Sequence, residues 1–335
     1  MTQTESRKAD HIRICTEANV ESKKSTLFEC VEFENKNSET SEIDCSTILF
    51  GKKLNYPIII AGMTGGAEES KKINKNLAKA AEQLGIGFGL GSQRAMLEHP
   101  ELKNTYEVRD IAPTTLLFGN IGAPQLSEYA PEQIEKAVLD VGADVLAVHL
   151  NKIQEALQPE GSWTDYSEKL EQLCNSVKIP VIIKETGMGI SRETAHLLKD
   201  SGLAGIDVGG AGGTSFTRVE LERTGGVPEG FQDSGIPTAA SILEVRKEFP
   251  EIPLIATGGI RSGTDIAKAL VLGADAAGIA LPLLKPAQES SEAVVEKLKE
   301  FVSEFESTML STGSKSISDL KQQKISITGE LSAWI

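Results

Sequence analysis

Short apolar runs rich in β-branched residues recur along the chain, each followed by a polar or glycine-bearing turn and a helix-length stretch with apolar residues three to four apart. The runs predict strands at Ile58–Ala61, Ile86–Gly89, Thr115–Phe118, Val145–Val148, Val181–Lys184, Ala204–Asp207, Leu254–Thr257 and Ala276–Ile279. The stretches between them predict helices at Lys72–Leu84, Pro131–Val141, Ser167–Ser176, Ser191–Ser201, Ala239–Glu248 and Thr264–Leu272, each able to bury one face on the strand layer. Open doubly wound sheets alternate in the same way but usually stop at about five or six strands. Eight regular βα units close a (β/α)8 TIM barrel, which is the α/β fold expected here.

On that reading residues 58–310 form the barrel, residues 1–57 an N-terminal extension that contributes to the substrate site, and residues 311–335 a C-terminal tail. The polar stretch Glu32–Ser46 reads as a surface excursion. A long Gly-rich insertion, Gly209–Pro237, follows strand six and falls at the mouth where barrels keep their chemistry; a covering lid and a decorative loop both fit it.

Lys and Arg number 34 against 48 Asp and Glu, a net charge of −14, which argues against a nucleic-acid partner and requires any anionic ligand to meet a local cationic pocket. The apolar runs Pro57–Met63 and Ala274–Leu284 fall short of the roughly 18 residues of a membrane span, and the charged start is no secretory signal. A cytoplasmic protein without a membrane partner is expected. Cys15, Cys30, Cys45 and Cys174 show neither zinc spacing nor a disulfide framework.

Candidate chemistry gathers at predicted strand ends. Thr257-Gly258-Gly259-Ile260-Arg261 follows strand seven and Ala280-Leu281-Pro282 follows strand eight, where barrels commonly hold a phosphate. Glycines admit the anion to backbone N–H groups, a helix N-terminus adds a favourable dipole, and Arg261 can pair with it. FMN, a sugar phosphate or a nucleotide fits equally. Gly85, Gly87, Gly89 and Gly91 alternate through a strand rather than open a helix, so they are no dinucleotide fingerprint. The loop after strand four, His149-Leu150-Asn151-Lys152-Ile153-Gln154-Glu155, bunches polar groups, and Glu155 suits Mg2+, which takes a carboxylate plus phosphate oxygens. Lys184 ends strand five on the same face and can pair with an anion or polarise a ring carbonyl. The cluster Arg7-Lys8-Ala9-Asp10-His11 reads alone as a solvated tail, but together with Ser92-Gln93-Arg94 after strand two it can grip a diphosphate.

These strings, with Met63-Thr64-Gly65-Gly66, Gly119-Asn120-Ile121-Gly122, Lys184-Glu185-x-Gly187-x-Gly189 and Gly209-Gly210-Ala211-Gly212-Gly213-Thr214-Ser215, give the chain a resemblance to the type 2 isopentenyl-diphosphate isomerases over nearly the whole barrel. The resemblance implies an FMN barrel that interconverts isopentenyl and dimethylallyl diphosphate by a 1,3-proton shift, with reduced FMN, Mg2+ and NADPH as priming reductant. It implies that Met63, Thr64, Gly65, Ser92, Asn120, Lys184 and Thr214 line the flavin, and that Gly258, Gly259, Arg261, Ala280 and Leu281 hold its phosphate. Arg7, Lys8, His11, Arg94, His149, Asn151 and Gln154 would surround the substrate, Gln154 as the catalytic residue, with Glu155 on the metal. A homotetramer or homo-octamer is implied by the same likeness. Phe216 stands where the family often has Trp, which alters packing near the flavin. Rival readings are an oxidase of 2-hydroxy acids or a dihydroorotate-type dehydrogenase, and a non-catalytic phosphate-binding barrel. The first lacks use for the Arg7-Lys8 cluster and the Gln154-Glu155 pair; the second would have lost the strand-four string.

Overall fold

The computed structural model describes residues 3–34, 42–150, 166–226 and 231–335. Eight parallel strands form a closed barrel: β1 (Ile58–Ile60), β2 (Gly87–Gly89), β3 (Leu117–Gly122), β4 (Val145–His149), β5 (Val181–Lys184), β6 (Gly205–Asp207), β7 (Leu254–Thr257) and β8 (Ala276–Ile279). Each pairs with the next, and β8 returns to β1 with Gly278 opposite Ile59. The expected TIM barrel is the fold observed. Around it lie α2 (Glu68–Leu84), α3 (Pro131–Asp140), α4 (Ser167–Ser176), α5 (Arg192–Leu197), α7 (Thr238–Glu248), α8 (Gly263–Val271), α9 (Leu281–Glu289) and α10 (Ser291–Thr312), while α1 (Gln3–Glu17) precedes the barrel and α6 (Phe216–Thr224) lies in the insertion after β6. The local chemistry agrees with these bounds. α2 buries Ile73, Leu77 and Ala81 on one face and ends at Gly85 with φ 64°, and Ser262 and Asp265 cap α8 reciprocally.

The barrel interior is filled by Ile59, Phe118, Ala147, Ile182 and Ile255, and a hairpin closes its floor. Thr47–Leu49 and Lys52–Leu54 pair antiparallel across Phe50 and Gly51, whose φ values of 47° and 78° are those of a tight hairpin turn. The Phe50 ring meets Phe118 edge-on at 5.8 Å and fills the space beside Gly205, where an added Cβ would stand 2.7 Å from it.

Two matching arginine latches hold the N-terminal ends of the strands. Arg109 donates to the carbonyls of Ala112, Thr115 and Gly142 and, at 2.9 Å, to Asp144 Oδ2, which also accepts from Leu117 N and Lys52 Nζ at 2.8 Å each. Half a barrel onward, Arg246 donates to the carbonyls of Phe249, Ile252 and Gly273 and, at 2.9 Å, to Asp275 Oδ2, which accepts from Leu254 N while Lys321 reaches Oδ1.

The structure departs from the sequence expectations at identifiable places. The third strand begins at Leu117 rather than Thr115, because Glu82 takes up the backbone and hydroxyls of Thr114 and Thr115, and it runs on through Gly119–Gly122, paired with β4. The helix expected over residues 191–201 spans only Arg192–Leu197. The N-terminal basic cluster, expected to join Arg94 in gripping a diphosphate, lies on a helix that no apolar period announced. Of the stretch 32–46, residues 35–41 lie outside the described residues, but Val31–Phe33 pairs with Ile325–Ile327 and Cys45 is buried, so its ends are tied to the body.

Candidate active site

The C-terminal ends of all eight strands converge on one cavity of about 220 Å3, and α1 crosses its mouth. Met63, Ser92 and Arg94 reach it from the loops after β1 and β2, Asn120 and His149 from β3 and β4, and Lys184 from β5. Thr214, Gly258, Gly259 and Arg261 come from the next two loops, Ala280 and Leu281 from the end of β8, and Arg7, Lys8 and His11 from α1. Residues separated by more than 250 positions are thereby brought together, as their strand-end positions require.

Cationic groups dominate the mouth. Burial, then the neighbouring Arg7 and Arg94, push the Lys8 ammonium down to about 8. Arg94 Nε is held by Glu98 at 2.6 Å. Burial, with Lys184 and Lys8 adding to it, pushes His149 down to about 3, so its imidazole is neutral at neutral pH. The network assigns its proton: Asn120 gives its amide NH2 to the Leu90 carbonyl at 3.0 Å, leaving Oδ1 to accept from His149 Nδ1 at 2.8 Å. His149 Nε2 therefore keeps its lone pair.

The far end of the cavity suits a phosphate. Gly258 and Gly259 have φ of 106° and 71°, and a Cβ on Gly258 would fall 2.1 Å from the Gly210 carbonyl oxygen. A Cβ on Gly213 would fall 2.4 Å from the Gly259 nitrogen. The loops after β6 and β7 thus lie backbone on backbone, a cradle that side chains would fill, beside the N-terminus of α9. These residues fit FMN: the glycine cradle and the helix N-terminus would hold its phosphate.

Some expected site residues have other engagements. Arg261 borders the cavity, but its guanidinium holds Glu21 Oε1 at 2.6 and 3.0 Å. His11 Nε2 meets the buried Glu220 at 3.0 Å, and burial lowers its pKa against the opposing pull of Glu220. Thr64 and Gly65 stand behind the wall rather than in it. The Thr64 hydroxyl pairs with Ser70 at 2.7 Å, and a Cβ on Gly65 would fall 2.0 Å from the Tyr106 ring. Asn151, Gln154 and Glu155 lie outside the described residues. Sequence reasoning missed Gln125, which lines the cavity and accepts from Gly122 N at 3.1 Å, and gave no separate role to Gln93, whose amide bridges Asn120 N and the Ala137 carbonyl. Their signal was polarity just after a strand end. Among the described residues no group of three or more His, Cys, Asp or Glu could hold a metal, and no helix is long and apolar enough to cross a membrane.

Comparison with known proteins agrees with this geometry. A family model described as FMN-dependent dehydrogenase matches residues 120–327. A lactate oxidase of Pediococcus acidilactici superposes with a TM-score of 0.71 at 17% identity, over 97% of this chain and 94% of that one. A mandelate oxidase with (S)-2-phenylpropionate gives 0.66 at 17% identity, over 96% and 97%. At such identity these two speak for the fold alone; with the family match, they define the class, that of the FMN-dependent barrels. Curated relatives narrow it. Proteins of Archaeoglobus fulgidus and Methanothermobacter thermautotrophicus, both described as isopentenyl-diphosphate delta-isomerase, are 44% and 45% identical over 99% and 98% of this chain and 98% and 95% of their own lengths. The chain belongs to the type 2 isopentenyl-diphosphate delta-isomerase family.

Proposed function

We propose that this protein interconverts isopentenyl diphosphate and dimethylallyl diphosphate by a 1,3-proton shift, with reduced FMN and Mg2+, NADPH serving to reduce the flavin, as a step of isoprenoid biosynthesis. The observation that carries the reading is the cationic mouth: α1 sets Arg7 and Lys8 opposite Arg94 and Lys184 around one cavity in a chain of net charge −14. A small carboxylate substrate needs no such density of cations; a diphosphate does.

A plain alkene is a very weak base, so the site must orient it, exclude water and exchange protons at two carbons. When bound, reduced FMN supplies the acid–base group facing the alkene. Arg7, Lys8 and Arg94 anchor the diphosphate, and this remote binding energy holds the hydrocarbon over the ring. Neutral His149 offers a lone pair without adding a cation next to the reacting chain. His11 acts from its station on Glu220, steadying α1 over the mouth. Asn151 and Gln154 complete the substrate shell, Gln154 at the reacting carbons, and Glu155 holds Mg2+ against the diphosphate. Met63, Ser92, Asn120, Lys184 and Thr214 face the flavin, with backbone of Thr64 and Gly65 behind them, and Gly258, Gly259, Arg261, Ala280 and Leu281 receive its phosphate. The enzyme works in the cytoplasm as a homotetramer or homo-octamer.

Anaerobic incubation with FMN, NADPH, Mg2+ and isopentenyl diphosphate is expected to yield the allylic isomer, with each omission reducing the rate. Net oxidation of 2-hydroxy acids, with no isomer formed, would replace this reading by that of an oxidase. Glu155→Gln is expected to shift the Mg2+ titration of activity by about tenfold to higher concentration, because it removes the carboxylate charge. An unchanged titration would take Glu155 off the metal.

A further inference from the structure

Lys184 and Asp207 are opposite one another in the β5–β6 register, and both line a small cavity of about 30 Å3 that shares Asn120, Lys184 and Thr257 with the main one and is roomy enough for one ordered water. Asp207 is only 5% exposed. Its Oδ1 accepts from Thr257 Oγ1 at 2.5 Å and from Gly209 N at 3.2 Å. Lys184 Nζ donates to the Glu185 carbonyl at 3.1 Å and also reaches the main cavity; among the described residues no direct ion pair joins it to Asp207.

A carboxylate this deep is costly unless its charge is matched. Burial raises the Asp207 pKa above the ordinary carboxylate value, and the Lys184 ammonium, the Thr257 hydroxyl and the Gly209 N–H oppose that rise in favour of the charge. The substrate chemistry above leaves this carboxylate unused: Asp207 lines the small cavity and not the main one, where Arg7, Lys8 and Arg94 lie, while Lys184 lines both.

We propose that Asp207 is a positioning residue of the isomerase site, a buried counter-charge that holds the Lys184 ammonium toward the flavin and offsets the cationic field beneath the ring. The proposal rests on the reading that the cavity holds FMN. Lys184 alone favours the electron-rich reduced ring and makes it a poorer base; Asp207 moderates both effects, which suits proton exchange without net redox change.

The test uses the FMN-loaded enzyme. Asp207→Asn is nearly isosteric, and its Oδ1 can keep both hydrogen bonds while the charge is lost. The expected result is a positive shift in the midpoint potential of bound FMN, with kcat lowered about tenfold at unchanged KM. Thr257→Val removes one donor and pushes Asp207 toward its neutral form, so a smaller positive shift is expected. Should Asp207→Asn not fold, the potential of Thr257→Val decides. An unchanged potential in these variants, with activity lost only in Asp207→Ala, would reduce Asp207 to a structural tie and overturn the proposal. Failure of the unmodified enzyme to interconvert the two diphosphates would instead overturn the functional reading, and the potentials would still report on Asp207.

Discussion

Lys8→Gln is expected to lower kcat/KM for isopentenyl diphosphate by about 100-fold, or about 2.7 kcal/mol, while FMN stays bound. The effect is large because Lys8 is partly buried beside Arg7 and Arg94, so its charge is little screened and has the diphosphate as its proposed partner. The same crowding fixes a pH dependence. In the free enzyme the ammonium is held below its ordinary value, at about 8, so it is charged below that pH and loses its proton as pH rises through it. The anion gains nothing from the neutral amine, and kcat/KM should therefore fall on the alkaline side of about 8. Binding the diphosphate raises the lysine's pKa again, so the corresponding limb of kcat should lie at higher pH. His149, pushed down to about 3, does not titrate in this range, and burial moves His11 below rather than above its usual value. Steady-state kinetics between about pH 6.5 and 9.5 check both parts. In Lys8→Gln the alkaline limb of kcat/KM should vanish; its persistence would assign the limb to another group.

The barrel and the strand-end chemistry were legible in the sequence because both follow from short-range rules. Short β-branched apolar runs mark buried strands, and glycine or polar residues just after a run mark the loops at the site. The limits of that reading are equally physical. The continuous apolar run breaks at Gly119-Asn120, yet the strand continues through Ile121 and Gly122, since glycine and asparagine can pair in a ladder without an apolar signature. The helix carrying Arg7, Lys8 and His11 has few apolar residues, and those it buries, Ile12 and Ile14, are two apart; its partner α6 sits in an insertion with no clear period. Hydrogen-bond partners such as Glu21 on Arg261 and Glu220 on His11 lie more than two hundred residues away, beyond any local pattern. The Asp207 pairing was hidden for a different reason: an acid at the end of an apolar run looks like a strand terminus until register puts it opposite a lysine.

The two arginine latches do leave a trace in the sequence, the recurrence of Gly142-Ala143-Asp144 as Gly273-Ala274-Asp275 just ahead of β4 and β8. In each, one guanidinium satisfies carbonyls at positions three and six beyond the arginine and clamps the glycine and aspartate of the next βα unit. Arg109→Ala is expected to destabilise the fold by about 3 kcal/mol, because it strips partners from several partly buried carbonyls and leaves Asp144 only its Lys52 and Leu117 contacts. Arg246→Ala should cost a similar amount. β3 and β4 lie across the barrel from β7 and β8, so the double variant should lose close to the sum. Both latches sit at the N-terminal ends of the strands, where barrels carry stability rather than chemistry, so kcat/KM of the folded variants should match the unmodified enzyme. Denaturant midpoints of the two single variants and the double variant measure this. A loss below about 1 kcal/mol in either single variant would show water replacing the guanidinium at these carbonyls. A double variant well short of additive would show that the two opposite sides of the barrel are energetically coupled.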